Sequence, residues 1–371
     1  MRVALSMLNY VPGGMGGSET YARELVSQLK GQQGVEAVVV VPSNGAQFSS
    51  AESRIIIHGV RTGASTVERL RGIVVAWLRA RAIRASYSAD VVHFPFTIPV
   101  PWPRQDQACV MTIHDVQHHD HPALFSRAER IFRYFTYDRP ARKATLIVTV
   151  SEFAKDGIVR CLNVAPEKVR VVPLGVDGSS FTPFLGERKD FALYPARGWK
   201  HKNHAALIEA MTLVRARRPE MRLVLTGGAL ESLGVVPDWV DVRGIVSAEE
   251  LHELYRKAAV LAFPSLYEGF GLPPLEAMAS GCPVAASSAG SLPEVCGDAA
   301  VMFDPSDPVD IARGIEEAME RREELVGAGL THVRQFTWER CAAAHEAAYR
   351  EAAALIRSRR RRQGPTGNSR N

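Results

Sequence analysis

The regular alternation of short apolar runs with segments of helical periodicity constrains the fold of this chain more than any other feature. Residues 36–41 are almost pure valine, a composition typical of a parallel strand that is buried on both faces. Alternating strands and helices predict an α/β protein built on doubly wound parallel sheets. The predicted strands cover residues 2–8, 36–41, 54–57, 90–94, 108–113, 146–150, 169–173, 191–195, 221–226, 240–246, 258–263 and 284–286.

Length and composition narrow the class of protein. A chain of 371 residues is long for one core and suits two domains. No apolar run is long enough to span a bilayer, and the N-terminus lacks the pattern of a signal peptide, so we expect a cytoplasmic protein. Its five cysteines are scattered and show no CxxC spacing, which indicates reduced thiols rather than a disulfide framework or a zinc site.

The charge is unevenly distributed along the chain. Residues 1–185 carry 21 Lys and Arg against 15 acids, whereas residues 186–356 carry 18 against 25. The segment 357–371 has six arginines and no acid. The basic character therefore belongs to the first half and the tail, a distribution that argues against a nucleic-acid-binding protein.

The segment around two glutamates, Glu268 and Glu276, has the composition of a ligand site. It follows the predicted strand 258–263 and continues into a helix that begins near Pro273 and Pro274. A strand, a glycine loop and a helix start together present backbone N–H groups to an anion. Carboxylates repel phosphate, so the two glutamates suit hydroxyl groups of sugar or ribose. The alternative is a solvated loop acid at Glu268 and a dipole-favoured acid in the first helical turn at Glu276.

Two further loops also have features of a ligand-binding site at the start of a helix. The segment 12–18 follows the first strand and contains Gly16 and Gly17, which let a ligand approach the backbone, and Ser18 is a candidate N-cap. Arg197 and Lys202 precede a predicted helix over 205–217. Cations at a helix start oppose the helix dipole, a conflict that is expected where an anion binds between them.

Histidines cluster after the strand 108–113. His114 stands at the carboxyl end of that strand, where open α/β sheets bind ligands. The cluster also contains His118, His119 and His121, with Asp115 and Asp120 nearby in sequence. Because the fixed ligand spacing of known zinc motifs is absent, we expect no metal site.

Residues 66–86 have helical periodicity with interleaved arginines, and two interpretations compete. In the first, a long helix packs on the sheet and exposes a solvated basic face. In the second, this face meets anionic lipid head groups or a lipid-linked acceptor, with Trp77 as a core residue or an interfacial anchor.

The segment from Glu268 to Glu276, with Gly-Phe-Gly-Leu-Pro between the acids, resembles the Glu-x7-Glu motif of the retaining glycosyltransferases of family 4, also called group 1. The resemblance implies the GT-B fold, in which two Rossmann-like domains face each other across a cleft. It implies that Glu268 contacts the donor sugar and that Glu276 holds the nucleotide ribose. Carried over by position, His114 contacts the donor sugar, the amides of Phe270, Gly271 and Leu272 and the loop at Gly16 and Gly17 face the ligand, and Arg197 and Lys202 stabilise the leaving diphosphate.

The resulting expectation is an acceptor domain over 1–178, a linker over 179–189, a donor domain over 190–336, a crossover helix over 337–358 and a disordered basic tail over 359–371. The expected activity is retaining, metal-independent transfer of a mannose- or glucose-like sugar from a nucleotide-diphosphate donor, with no cofactor, to a glycan, glycolipid or lipid-linked acceptor. Contact with an anionic membrane at the inner face of the cell membrane is an open expectation. The alternatives are a nucleotide-sugar epimerase of the same fold and a non-catalytic nucleotide-sugar-binding module.

Overall fold

The computed structural model describes residues 1–31, 34–48, 54–63 and 65–362, which pack into two compact units. Unit 1 contains Met1–Val150, Ala154–Pro173 and the C-terminal segment that begins at Trp338. Unit 2 contains Ser151–Phe153 and Leu174–Thr337. Each unit is built on its own parallel sheet, as the alternating pattern predicted.

The sheet of unit 1 is fully parallel, with strand order β3-β2-β1-β4-β5-β6-β7. This order reverses between β1 and β4, which makes the carboxyl ends of those strands the place where doubly wound sheets bind ligands. The strands are β1 (Arg2–Ser6), β2 (Glu36–Pro42), β3 (Arg54–Ile57), β4 (Val91–Phe94), β5 (Ala108–Thr112), β6 (Leu146–Thr149) and β7 (Val169–Val171).

The α-helices described in unit 1 cover the sheet and carry the loops of interest. They are α1 (Gly17–Leu29), α2 (Thr66–Leu78), α3 (Ala80–Ser86), α4 (Gln117–Asp120), α5 (Arg127–Arg133), α6 (Arg139–Lys143), α7 (Glu152–Leu162) and, at the C-terminal end of the chain, α14 (Trp338–Arg362). The first two residues of α7 group with unit 2.

The single helix predicted over residues 66–86 is two helices in the structure. The chain leaves helical geometry at Arg79, between α2 and α3. The buried face of α2 includes Gly72 and Ala76, and Val75 packs partly buried against the core, whereas five large apolar side chains point outward, with Trp77 69% exposed. The helix therefore does pack on its unit, but its outer face is apolar as well as basic. The exposed apolar side chains are Val67, Leu70, Val74, Trp77 and Leu78.

A helical stretch that the sequence pattern does not predict runs from α5 to α6 and contains a π-helical turn, Tyr134–Asp138. The N–H of Arg139 donates to the carbonyl of Tyr134, five residues earlier. Pro140 explains this geometry, because it has no N–H and its ring would clash with the carbonyl four residues before it in a regular α-helix.

The C-terminal helix α14 is joined to the sheet of unit 1 by buried hydrogen bonds. The hydroxyl of Tyr21, on α1, lies 2.7 Å from Nε2 of His345 and 2.8 Å from the hydroxyl of Thr112. The hydroxyl of Tyr349 lies 2.8 Å from Nδ1 of His93, whose Nε2 lies 2.8 Å from the same Thr112 hydroxyl. The prediction that residues 359–371 form a disordered tail is wrong for residues 359–362, because α14 continues through Arg362. Arginines are good helix formers and are favoured at this end of the helix dipole. Residues 363–371 lie outside the described residues.

The sheet of unit 2 is also fully parallel, with order β10-β9-β8-β11-β12-β13. The order reverses between β8 and β11. The strands are β8 (Lys189–Pro195), β9 (Arg222–Thr226), β10 (Val240–Gly244), β11 (Ala258–Phe263), β12 (Val284–Ser287) and β13 (Val301–Phe303), and the helices are α8 (His204–Arg217), α9 (Ala248–Lys257), α10 (Leu272–Ala279), α11 (Leu292–Cys296), α12 (Pro308–Glu320) and α13 (Arg322–His332). Strand β13 was not predicted.

The segment 179–189, predicted as a linker, packs into unit 2 together with everything from Leu174 onward. Its anchor is Arg188, whose guanidinium donates hydrogen bonds of 2.9 Å to the carbonyls of Tyr255, Arg256 and Ala258. A buried guanidinium needs such acceptors. These acceptor carbonyls lie about 70 residues further along the chain, so the polar composition of 179–189 could not indicate that the segment packs into unit 2.

Among the described residues, no helix combines the length and apolar composition that crossing a bilayer requires.

Candidate active site

Lys202 and Glu268 form an ion pair at the point where the sheet of unit 2 reverses its strand order. The loop after β8 carries Lys202 and the loop after β11 carries Glu268. The ammonium group of Lys202 donates to Oε1 of Glu268, and each side chain is only 14% exposed. Each charge has its counter-charge within the pair, and a phosphate that enters this position would compete with Glu268 for the ammonium group.

The backbone around Lys202 is fixed by contacts from three sides. The hydroxyl of Tyr194, on β8, donates to the carbonyl of Lys202 at 2.6 Å. Asn203 adopts left-handed geometry with φ of 59°, and its amide donates to the carbonyls of Pro264 at 3.2 Å and Pro305 at 2.7 Å. Lys202 is therefore held on a rigid turn.

Arg197 lies earlier in the same loop, and the ring of Trp199 holds its guanidinium. The central carbon of the guanidinium lies 5.3 Å from the ring centroid, a cation–π distance. Gly227, in the neighbouring loop after β9, lets the two loops approach closely, because a Cβ at that position would lie 2.6 Å from the carbonyl oxygen of Ala196. The structure thus gives both predicted cations of unit 2 defined positions in one loop.

The loop that carries Glu268 is held by Gly290 and Ser291, between β12 and α11. The N–H and hydroxyl of Ser291 donate to the carbonyl of Glu268 at 3.2 and 3.0 Å, and the hydroxyl also lies 2.7 Å from the carbonyl of Phe270. Gly290 has φ of +66°, and a Cβ there would lie 2.8 Å from the carbonyl oxygen of Glu268. Only glycine permits this close approach without strain.

The glycine of the central motif starts α10. Gly271 has φ of +116° and occupies the N-cap, so Leu272 is the first residue of the helix. A Cβ on Gly271 would lie 2.7 Å from Leu292. The side chain of Phe270 is buried, which leaves the backbone of this segment as the part that can meet a ligand.

Glu276 lies in the second turn of α10 rather than in its first, so the dipole at the helix start does not explain it. The hydroxyl of the buried Tyr255 donates to Oε2 of Glu276 at 2.7 Å. Burial raises the pKa of Glu276 to about 6, and the hydrogen bond from Tyr255 works in the opposite direction. A desolvated carboxylate with one donor retains lone pairs for further hydroxyl groups.

The glycine loop of unit 1 is a helix start, but Ser18 is not its cap. Gly16, with φ of 56° and ψ of −136°, occupies the N-cap of α1, and Gly17 is the first helical residue. The prediction of Ser18 as N-cap is wrong because glycine reaches this geometry more easily than serine and shifts the helix start upstream. Glu19 supports the loop by accepting from the N–H of Gly13 at 3.0 Å.

His114 follows β5 and lies against α1, the helix that begins at Gly17. The ring of Tyr21 meets the ring of His114 edge-on at 5.1 Å. Burial lowers the pKa of His114 to about 4, although Asp115 and a hydrogen bond to the carbonyl of Pro95 act to raise it. Among the described residues Nε2 of His114 has no hydrogen-bond partner, so the neutral ring carries a buried acceptor nitrogen.

The predicted histidine cluster separates in the structure. His118 and His119 join Asp138, which lies at the end of the π-helical turn, with Nε2 to carboxylate distances of 3.0 and 2.8 Å. The three ligand atoms could hold a metal ion, a possibility that the spacing of the histidines did not show. Both carboxylate oxygens are nonetheless already bonded to imidazoles.

The site residues thus fall into two groups. In unit 2, the structure joins Lys202 directly to Glu268 and places both at the switch point of the sheet. In unit 1, it brings His114 beside the helix that Gly16 and Gly17 begin. The supporting residues Tyr255, Gly290, Ser291 and Asn203 were not identified as part of the site. Their roles come from contacts over long sequence separations, and only the glycine gave a local signal.

Two doubly wound parallel sheets, a helix that starts at a glycine in each unit, and a lysine–glutamate ion pair at the switch point of unit 2 are features of the GT-B class of glycosyltransferases. Residues 15–179 match the model described as Glycosyltransferase Family 4, and residues 179–327 match the model described as Glycosyl transferases group 1. The chain belongs to this family of glycosyltransferases.

Similar proteins agree with this assignment. The O-antigen chain mannosyltransferase B of Escherichia coli is 29% identical over 362 residues, covering 86% of this chain and 92% of that protein. A D-inositol 3-phosphate glycosyltransferase of Salinispora tropica is 27% identical over 94% of this chain and 83% of its own length. The structure of sucrose-phosphate synthase from Thermosynechococcus elongatus shares the fold, with a TM-score of 0.77 at 21% identity over 96% of this chain and all of that one.

Proposed function

We propose that the chain is a retaining glycosyltransferase that moves a mannose- or glucose-like sugar from a nucleotide-diphosphate donor to a hydroxyl acceptor without a metal ion. Glycosyltransferase activity itself follows from the family and the relatives. The observation that carries the finer proposal is the ion pair of Lys202 and Glu268, two nearly buried charges at the switch point of a doubly wound sheet. The acceptor is a glycan, a glycolipid or a lipid-linked intermediate.

The chemistry of the pair suits sugar transfer. As the bond from the anomeric carbon to the diphosphate breaks, negative charge grows on the leaving oxygen. In this proposal Lys202 and Arg197 stabilise that charge, and such electrostatic stabilisation is often the largest contribution to catalysis. Once the ammonium group of Lys202 binds the donor diphosphate, Glu268 can accept hydrogen bonds from sugar hydroxyls.

Of the two routes to retention, a front-face mechanism fits the carboxylates of unit 2 better than a double displacement. A double displacement on the protein needs a nucleophilic carboxylate with a second group as acid and base. Glu276 is bonded to Tyr255 and is assigned to the ribose, and Glu268 is bonded to Lys202. A front-face mechanism, in which the departing diphosphate accepts the proton of the acceptor hydroxyl, requires neither residue as nucleophile.

The names of relatives support mannose as the first sugar to test. The relative from Escherichia coli and one from Salmonella typhimurium, RfbU, which is 28% identical over 77% of this chain, are both named O-antigen chain mannosyltransferases. The Anabaena protein Alr3699/HepE, 15% identical with a TM-score of 0.69, was solved with UDP and glucose.

The test is release of nucleoside diphosphate from a panel of UDP-, GDP-, ADP- and TDP-sugars in the presence of EDTA. The proposal expects slow release from one donor that EDTA does not abolish, with at least a tenfold loss in Glu268→Gln. Glu323→Gln, which changes an exposed glutamate on α13, is the matched control. Release that requires a divalent cation would contradict the metal-independent mechanism, and epimerised donor without diphosphate release would favour the epimerase.

We also propose that the outer face of α2 contacts an anionic membrane surface. The exposed apolar side chains of α2 lie on one helical stripe, and Arg69 and Arg71 lie beside it on the exposed surface. An apolar stripe with neighbouring cations is typical of helices that lie in the membrane interface.

Co-sedimentation with vesicles of anionic and of neutral phospholipid tests this contact. We expect binding to the anionic vesicles that falls several-fold in the double variant Trp77→Ser, Leu78→Ser. Leu185→Ser removes a side chain of similar exposure from unit 2 and should bind as the unmodified protein does. Equal binding by all three proteins would contradict the proposal.

A further inference from the structure

A pocket of ≈ 740 Å³ lies in unit 1 between the histidine cluster and the helical stretch from α5 to the π-helical turn. Its lining residues are His118, His119, Pro122, Arg127, Arg130, Ile131, Tyr134, Phe135 and Asp138. This volume is in the range of pockets that hold drug-sized ligands. None of the residues that the proposal assigns to sugar transfer lines this pocket, although His118 and His119 follow His114 closely in the sequence.

Three of the lining residues are large, apolar and well exposed. Ile131 is 60%, Phe135 55% and Tyr134 43% exposed, and all three lie on the helical stretch formed by α5 and the π-helical turn. Contiguous exposed apolar side chains on a protein surface commonly mark a binding site. The π-helical turn that begins at Tyr134 is a second indication, since such turns are frequent at functional sites.

The polar groups of the pocket favour an anion over a cation. Arg127 and Arg130 line it and are exposed. Asp138 also lines it, but both of its carboxylate oxygens accept from the imidazoles of His118 and His119. The pocket therefore presents two guanidinium groups and a satisfied carboxylate. A metal ion would have to replace these hydrogen bonds while lying near the arginines.

We propose that this pocket binds the head of an amphiphilic acceptor, a molecule with a phosphate or diphosphate group joined to an apolar chain. The guanidinium groups of Arg127 and Arg130 bind the phosphate, for which their planar donor geometry is suited. Ile131, Tyr134 and Phe135 cover the first part of the chain. The inference rests on the proposed function for its biological use, because it names the class of acceptor.

Binding of decyl phosphate, measured by calorimetry below its micelle concentration, tests the proposal without any nucleotide sugar. We expect saturable binding that is at least tenfold weaker in the double variant Arg127→Gln, Arg130→Gln and also weaker in Phe135→Ser. Arg357→Gln, which removes an exposed arginine from α14, is the matched control and should bind as the unmodified protein does. Inorganic phosphate and decyl maltoside should each bind more weakly than decyl phosphate.

Three results would overturn the proposal. The first is no saturable binding of decyl phosphate, and the second is equal affinity in the double variant and in the control. The third is stoichiometric Zn²⁺ binding that Asp138→Asn abolishes while decyl phosphate fails to bind, which would identify a metal site instead. Because the measurement needs no turnover, its failure leaves the transferase proposal standing. Failure of donor hydrolysis likewise leaves this result unchanged.

Discussion

At the scale of single residues, the candidate site depends on groups that do not touch the substrate in our proposal. Gly290 and Ser291 hold the backbone of Glu268, and Tyr255 holds the carboxylate of Glu276. The sequence identified both glutamates because they lie in one contiguous motif. It could not identify their partners, which come from other strands and helices and are brought close only by folding.

Gly290→Ala should displace Glu268. The new Cβ would lie 2.8 and 2.9 Å from the carbonyl oxygen and nitrogen of Glu268, and the left-handed geometry at φ of +66° is unfavourable for alanine. We expect a loss of about 1–3 kcal/mol in the free energy of unfolding. The value of kcat/KM should fall by roughly tenfold or more, because small misplacements of catalytic groups are costly.

The control for this variant is Gly327→Ala, in helix α13, where an added Cβ meets nothing within 4 Å. Alanine should stabilise that helix by about 0.5–1 kcal/mol and leave activity unchanged. Activity and urea unfolding of both variants give the comparison. Full activity of Gly290→Ala would show that the position of the Glu268 backbone does not matter.

Tyr255→Phe should move the pH dependence of nucleotide binding upward. The pKa of Glu276 is raised to about 6 by burial, and the Tyr255 hydroxyl acts to lower it. If the ionised carboxylate holds ribose hydroxyls, affinity weakens as the pH falls through about 6. Without the tyrosine hydroxyl the pKa rises further, so the weakening should begin at a higher pH.

Titration of nucleoside diphosphate affinity between pH 5 and pH 8 measures this shift. Tyr87→Phe is the control, because the buried Tyr87 hydroxyl has no hydrogen-bond partner among the described residues. A profile that is the same for Tyr255→Phe and for the unmodified protein would rule out Glu276 as the titrating group.

At the scale of elements, the sequence predicted twelve strands of the described sheets, because each is a short apolar run bounded by turn residues. It did not predict β13, which is only three residues long. It also did not predict the stretch from α5 to α6, because Pro140 normally interrupts a helix, whereas here the helix continues through a π-helical turn. It also joined α2 to α3, since helical periodicity continues across Arg79 although the backbone does not.

The element most open to test is α14, which meets the sheet of unit 1 through His345 and Tyr349. Burial lowers the pKa of His345 to about 4. In the unfolded chain the same histidine titrates near its usual value of about 6.5. Between these two values the unfolded state binds more protons than the folded state, so the protein loses stability as the pH falls from about 6.5 to about 4.

His345→Gln should therefore reduce the dependence of unfolding free energy on pH in this window by up to about 1.4 kcal/mol per pH unit. It should also lower stability at pH 7, because it disturbs the hydrogen bond with Tyr21. Urea unfolding at several pH values measures both effects, with the exposed His58→Gln as control. An unchanged pH dependence in His345→Gln would show that His345 is not buried as a neutral group.

At the scale of the whole molecule, the fold class was predictable because alternating strands and helices recur in both halves of the chain. The boundaries of the two units were less predictable. Polar composition suggested a linker, but the guanidinium of Arg188 binds carbonyls of unit 2, and α14 returns to unit 1 through contacts that span more than 200 residues. Such contacts leave no periodic signal in the sequence.

The central claim is that Lys202 meets the diphosphate of the donor, and the affinity for nucleoside diphosphates tests it most directly. GDP, UDP, ADP and TDP are titrated into the unmodified protein, Lys202→Ala and Lys200→Ala. Lys200 is an exposed lysine two residues away and carries the same charge. We expect the preferred diphosphate to bind Lys202→Ala about tenfold or more weakly, since hydrogen bonds to charged groups contribute about 1.5–3 kcal/mol. Its affinity for Lys200→Ala should be unchanged. Equal affinity for all three proteins, or binding of none of the four nucleotides, would contradict the claim.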